Sequence, residues 1–160
     1  MKQLQVEAEG TTEAAPDVVW SLVADANSYP QWGPWRAGGY RPAAAGPSAP
    51  GAIQWFRYGR LAKTTEQVLE VEPPRRLVYT VLRGMPVRNY WAEVTFTPAA
   101  GGRTAVRWAA TWDRTVFGRL MRRRLQLVYR EVVDGLVAEA DRRQAPTPEG
   151  PETGDLSRGR

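Results

Sequence analysis

The sequence predicts an α+β fold in which helices cover one face of an antiparallel sheet. Three observations carry this. The run from Thr115 to about Arg143 repeats Phe117, Met121, Leu125, Val128, Val132 and Leu136 at helical spacing. Leu120 and Tyr129 broaden that stripe, and Arg119, Arg123, Arg130, Asp134 and Asp141 lie opposite. From Ala52 to Trp112 the chain is a series of strand-like runs joined by short links rich in Gly and Pro. Before them stand one alternating run and a short helical pattern. A helix over 115–143 would be roughly 40 Å long and needs a surface to bury its stripe. A meander of strands supplies that surface.

Taken in order, residues 3–9 alternate apolar and polar and read as a half-buried first strand. Pro16 opens a helix through Val19, Trp20, Leu22 and Val23, with Asp17 suited to its positive end. Ala15 is a weak cap for that start. Asp25 is a candidate cap for a second short helix, Ala26 to Gln31. The prolines of Tyr29-Pro30-Gln31-Trp32-Gly33-Pro34-Trp35 then force an aromatic corner. A short second strand over 36–41 precedes a flexible loop over 42–51, built only of Ala, Gly, Pro and Ser. Further strands follow over 52–58, 61–71, 76–83, 87–97 and 103–112, with a turn at Pro73-Pro74. Val68 and Val71 share a face only across a bulge or bend. Residues 144–160 have almost nothing to bury and are expected to be a disordered tail behind a single 1–143 domain.

Composition narrows the chemistry. The 160 residues include no cysteine and no histidine. Disulfides, thiol nucleophiles, Ser-His-Asp triads and zinc-histidine sites are therefore excluded, and nothing in the pattern calls for a metal or cofactor. The N-terminus lacks a signal-peptide core and no apolar run reaches the ~18 residues of a membrane span, so a cytoplasmic protein is expected. Net charge is +5, and 20 of the 22 basic residues are arginine. Apart from Arg122-Arg123-Arg124 they are scattered, which reads as solvated surface more than as a nucleic-acid patch.

Three blocks of residues together resemble a known family: Pro16-Asp17-Val18-Val19-Trp20 leading to Asp25 and Tyr29-Pro30-Gln31-Trp32; Glu70-Val71-Glu72-Pro73-Pro74-Arg75-Arg76-Leu77-Val78-Tyr79; and Phe96-Thr97-Pro98 with Gly101-Gly102-Arg103-Thr104. The pattern is similar to the START-related SRPBCC superfamily, in its polyketide cyclase/dehydrase branch, over about residues 4–140. The resemblance implies a helix-grip fold, in which a bent seven-stranded antiparallel sheet wraps a C-terminal helix around an apolar cavity. It also implies roles ranging from aromatic polyketide cyclases to lipid and quinone carriers, so it specifies fold better than function.

Strand alternation then proposes a lining. Tyr90, Ala92, Val94 and Phe96 share one face; so do Val106, Trp108, Ala110 and Trp112; so do Leu77, Tyr79 and Val81. The third strand has apolar residues on both faces, and the reading adopted turns Ile53, Trp55 and Arg57 inward rather than Phe56 and Tyr58. The candidate ligand-binding set is Trp55, Arg57, Tyr79, Tyr90, Val94, Trp108, Trp112, Phe117, Met121, Arg124, Leu125 and Val128. Arg57 and Arg124 are its polar members, paired with an anionic ligand group or with Glu66 or Glu139. Arg124 has snorkelling to solvent as its alternative. Trp20, Trp32 and Trp35 are assigned to packing of the small helices. Core filling is the simpler reading of each aromatic alone.

The leading expectation is a protein that binds a hydrophobic small molecule, aromatic or lipid-like. A cyclase or dehydratase working by confinement with Arg and Tyr is the alternative. Nucleic-acid or anionic-membrane binding through Arg119, Arg122, Arg123 and Arg130 is disfavoured, because no aromatic accompanies them on the outer helix face. A homodimer is left open.

Overall fold

The computed structural model describes residues 2–41 and 49–145. Seven strands, β1 (Gln3–Thr12), β2 (Ala37–Tyr40), β3 (Ile53–Tyr58), β4 (Ala62–Glu72), β5 (Arg76–Arg83), β6 (Trp91–Pro98) and β7 (Thr104–Asp113), form one bent antiparallel sheet. Their order is β1-β7-β6-β5-β4-β3-β2. Helix α1 (Pro16–Val23) and the long α2 (Val116–Gln144) lie on its concave face, giving the helix-grip arrangement. Among the described residues no helix is long and apolar enough to cross a membrane.

The second helix expected over 26–31 is only a 3-10 turn, Tyr29–Gln31. Asp25 organises the segment before it instead, its Oδ1 accepting from the Asn27 amide at 3.0 Å. Strand β6 begins at Trp91 rather than Val87, because the backbone reaches it through Asn89 at φ 50°, outside strand conformation. The bend anticipated in β4 is present: register shifts fall between Thr65 and Glu66 and between Val68 and Glu70. Most of the anticipated loop (residues 42–48) and nearly all of the anticipated tail (residues 146–160) lie outside the described residues.

Helix α2 starts at a side-chain cap, the Thr115 hydroxyl accepting from the Gly118 amide at 3.0 Å. Gln126 ties the helix to β1, donating to the Glu7 carbonyl at 2.6 Å and accepting from the Glu7 amide at 3.3 Å. Nearer its end, Asp141 accepts from the Thr12 hydroxyl and from the Glu13 amide. Gly135 lets the helix backbone meet the aromatic corner: a Cβ there would stand 1.9 Å from the Trp32 carbonyl oxygen. The buried face runs through Gly118, Leu125, Tyr129, Val132, Val133, Leu136 and Ala140. Gly118, not Phe117, meets Trp112, and adjacent helical residues point about 100° apart. The buried face is thus rotated from the expected stripe. Phe117 is left 66% exposed, while Met121, Leu125, Val128 and Val132 line a cavity on one side of it.

Candidate ligand cavity

Between α2 and the sheet lies a cavity of about 270 Å³. One wall is built by β5, β6, β7 and α2. Tyr79 on β5, Tyr90 just before β6 and Trp108 on β7 face the cavity, and Tyr129 comes down from α2 to meet them. Their polar tips satisfy one another. The Trp108 Nε1–H donates to the Tyr79 hydroxyl at 3.0 Å, the Tyr79 and Tyr129 hydroxyls are 3.4 Å apart, and the Tyr90 hydroxyl is hydrogen-bonded to that of Tyr129. Burial raises the pKa of all three phenols above the usual tyrosine range, so they stay protonated.

The facing wall comes from β3, β4 and the aromatic corner. Tyr29 stacks on Phe56 with centroids 4.6 Å apart, and Trp35 packs against Phe56 and Tyr58. Thr64 and Glu66, two residues apart on β4, point the same way into the space. This wall is not self-satisfied. Among the described residues, the buried Trp35 Nε1 and Thr64 Oγ1 have no hydrogen-bond partner. The Tyr58 hydroxyl approaches the Trp35 indole, and Thr64 approaches Glu66, without reaching hydrogen-bond geometry. Glu66 receives a hydrogen bond from Gln54, its cross-strand partner, at 3.3 Å. Burial pushes its carboxyl up to about 8, against the lowering effect of Gln54 and Thr64. Near neutral pH the group is therefore mostly an uncharged acid that can donate a proton or a hydrogen bond. Its ionisation would be felt across the space, since it raises Tyr29, Tyr58, Tyr79, Tyr90 and Tyr129 alike.

Ala62, Gly84, Met85, Met121 and Arg124 also line the cavity, at the end where the β3–β4 hairpin, the segment after β5 and the start of α2 come together. Gly84 has φ +97°, and a Cβ there would stand 2.0 Å from the Lys63 carbonyl oxygen, so this rim is built on glycine.

Of the residues proposed from sequence, Tyr79, Tyr90, Trp108, Met121, Arg124, Leu125 and Val128 line the cavity. Arg124 does so from an exposed position, and it meets neither Glu66 nor Glu139, which binds Arg142 and Arg143. The other five lie elsewhere. Arg57 is exposed and Trp55 is on the outer face beneath Lys63 Nζ, 4.7 Å from its ring, because β3 turns Gln54, Phe56 and Tyr58 inward. Val94 is fully buried in the core behind the cavity. Trp112 is also fully buried, stacked on Tyr90 and donating to the Gly118 carbonyl at 3.3 Å. Phe117 is outside. Sequence reasoning left Tyr29, Trp35, Phe56, Tyr58, Thr64 and Tyr129 out of the site and offered Glu66 only as a partner for an arginine. The available signal was Val68: with it inward, period two brings Glu66 and Thr64 to the same face.

A profile of the polyketide cyclase/dehydrase and lipid transport family matches residues 3–141. The chain belongs to this family. Solved structures with this fold include a solution structure of a protein from Thermobifida fusca, 25% identical, with a TM-score of 0.74 over 88% of this chain and 95% of that one. A protein from Nitrosospira multiformis is 18% identical, with a TM-score of 0.72 over 85% and 95% of the two chains. Zhui aromatase/cyclase from a Streptomyces species is 20% identical, with a TM-score of 0.70 over 89% and 96%. At these identities the likenesses speak for the fold alone. No curated protein matches the chain.

Proposed function

We propose that this family member binds an apolar small molecule, aromatic or lipid-like, that carries a hydrogen-bonding oxygen. The observation behind this reading is the unsatisfied wall. Trp35 Nε1 and Thr64 Oγ1 stand unpaired beside an uncharged Glu66 in a cavity otherwise lined by rings and aliphatic chains. A buried polar group left unpaired costs about 1–3 kcal/mol. A ligand carbonyl, phenol or alcohol placed there recovers that cost while its apolar part fills the remaining space. Binding of naphthalene and of a hydroxynaphthalene, followed by quenching of the cavity tryptophans, tests this. The hydroxylated ring should bind about tenfold tighter, with the difference abolished in Trp35→Phe. If neither ring binds and no small molecule travels with the native protein in mass spectrometry, the reading fails.

The same carboxyl supports a second reading, a cyclase or dehydratase. An acid with a pKa of about 8 in an aromatic-lined space can, when protonated, protonate a carbonyl or leaving hydroxyl and, when ionised, take up the α-proton of a bound ketone. Turnover of a poly-β-ketone mimic that disappears in Glu66→Gln supports it; unchanged turnover in that variant removes it.

A further inference from the structure

The molecule's exposed apolar surface is concentrated at one end of the sheet. Strand register brings the start of β1, the β3–β4 hairpin, the segment between β5 and β6 and the start of α2 to one end of the sheet: Gln3 pairs with Asp113, Tyr58 with Ala62, Thr65 with Arg83 and Trp91 with Thr111. Most of the large exposed hydrophobic side chains of the described residues belong to this end. Leu61 is 97% exposed, Val116 and Leu120 80% each, and Phe117 66%. Apolar side chains gathered on one surface mark a contact site.

Charge on the same surface is one-sided. Residues 2–5, 58–63, 82–91 and 113–127 contain ten lysines and arginines and one acid, Asp113, which already accepts from Asn89 at 2.7 Å. Four of the cations, Lys2, Arg114, Arg119 and Arg122, line one shallow groove. The first turns of α2 therefore present aliphatic and aromatic groups between arginines, beside the rim to which Met85, Met121 and Arg124 contribute.

We propose that this end of the molecule docks on an anionic phospholipid membrane. Val116, Phe117 and Leu120 enter the headgroup boundary, and the Lys2–Arg114–Arg119–Arg122 groove holds lipid phosphate. The alternatives fit the surface less well. A second copy would bring this patch onto itself across a two-fold axis and set ten cations against ten. A nucleic acid would meet the arginines but leave the apolar side chains without apolar contact. A bilayer satisfies both, and it brings the cavity rim against the phase in which an apolar ligand dissolves. None of Val116, Phe117, Leu120, Lys2, Arg114, Arg119 and Arg122 lines the cavity.

Flotation of the full chain with vesicles of phosphatidylcholine, alone and mixed with phosphatidylglycerol, tests this. Binding should require the anionic lipid and weaken as salt rises. It should fall about fivefold for each of Arg119→Gln and Arg122→Gln and about tenfold for Phe117→Ser or Leu120→Ser. All four positions are exposed, so melting temperature and binding of the naphthalene probes should stay at the parent values. Equal binding to neutral vesicles, or vesicle binding indifferent to these substitutions, overturns the proposal. So does binding of duplex DNA at least as tight as that of vesicles and unaffected by Phe117→Ser. Self-association in sedimentation that Leu120→Ser abolishes would assign the surface to a second copy instead.

Discussion

The two walls of the cavity carry similar numbers of polar atoms and treat them oppositely. On the β5–β7 wall, Tyr79, Tyr90, Trp108 and Tyr129 close their hydrogen bonds on one another. On the β3–β4 wall, among the described residues, Trp35 Nε1 and Thr64 Oγ1 have no hydrogen-bond partner and Glu66 accepts from Gln54. A satisfied network adds rigidity and stability; an unsatisfied one costs stability until something fills it. In the function proposed above, the first wall holds the fold and the second selects what enters.

Substitutions can break or sharpen that contrast. The largest effect belongs to the first wall: Trp108→Ala should cost about 3–5 kcal/mol in chemical denaturation, since it removes a large buried ring and the donor to Tyr79. Next comes the pH dependence set by the second wall. Glu66 is raised from 4.5 to about 8 on folding, so the unfolded chain releases its proton first as pH rises. Stability from this group is full below pH 4.5 and declines until pH 8, by on the order of 1.4 kcal/mol per pH unit. Thermal melts of Glu66→Gln should lack that slope; a parental slope in the variant would place the titration elsewhere. Tyr129→Phe leaves the Tyr79 and Tyr90 hydroxyls short of a partner and should cost about 1–3 kcal/mol, with little change in the preference for oxygenated ligands. The smallest effect is Thr64→Val, which removes an unpaired hydroxyl and should be neutral or stabilising by less than about 1 kcal/mol. A loss as large as that of Tyr129→Phe would mean the two walls do not differ.

The sequence carried the architecture because its strongest signals are periodic. The α2 stripe, the alternation of β6 and β7, and the turn residues between strands each specify a local element, and together they leave one layered arrangement. The β3–β4 wall was illegible for the reason that makes it interesting. Binary patterning reads polar residues at period two as solvent-facing, so Thr64 gave no signal and Glu66 entered only as a partner for an arginine. On β3, Trp55 and Phe56 are equally apolar, and only the corner built by Tyr29 and Trp35 decides that Phe56 is covered. Phe117 failed differently: it lies on the stripe by spacing, but the small Gly118 is what fits against Trp112. Helical periodicity gives the width of an apolar face, not which edge of it the sheet covers.

The close approach of Gly135 to Trp32 also sets a mechanical ratio. In α2, nineteen residues precede this contact and nine follow it. If the helix tilts about that point, its first turn moves about twice as far as its last, because rise per residue is constant. The short arm is further tied by Asp141 to Thr12 and Glu13. The contact is thus a fulcrum near one end of a lever whose long arm carries Met121 and Arg124 and is held to the sheet by Gln126 and by Trp112. Small yielding at the aromatic corner is magnified where the cavity meets its surroundings.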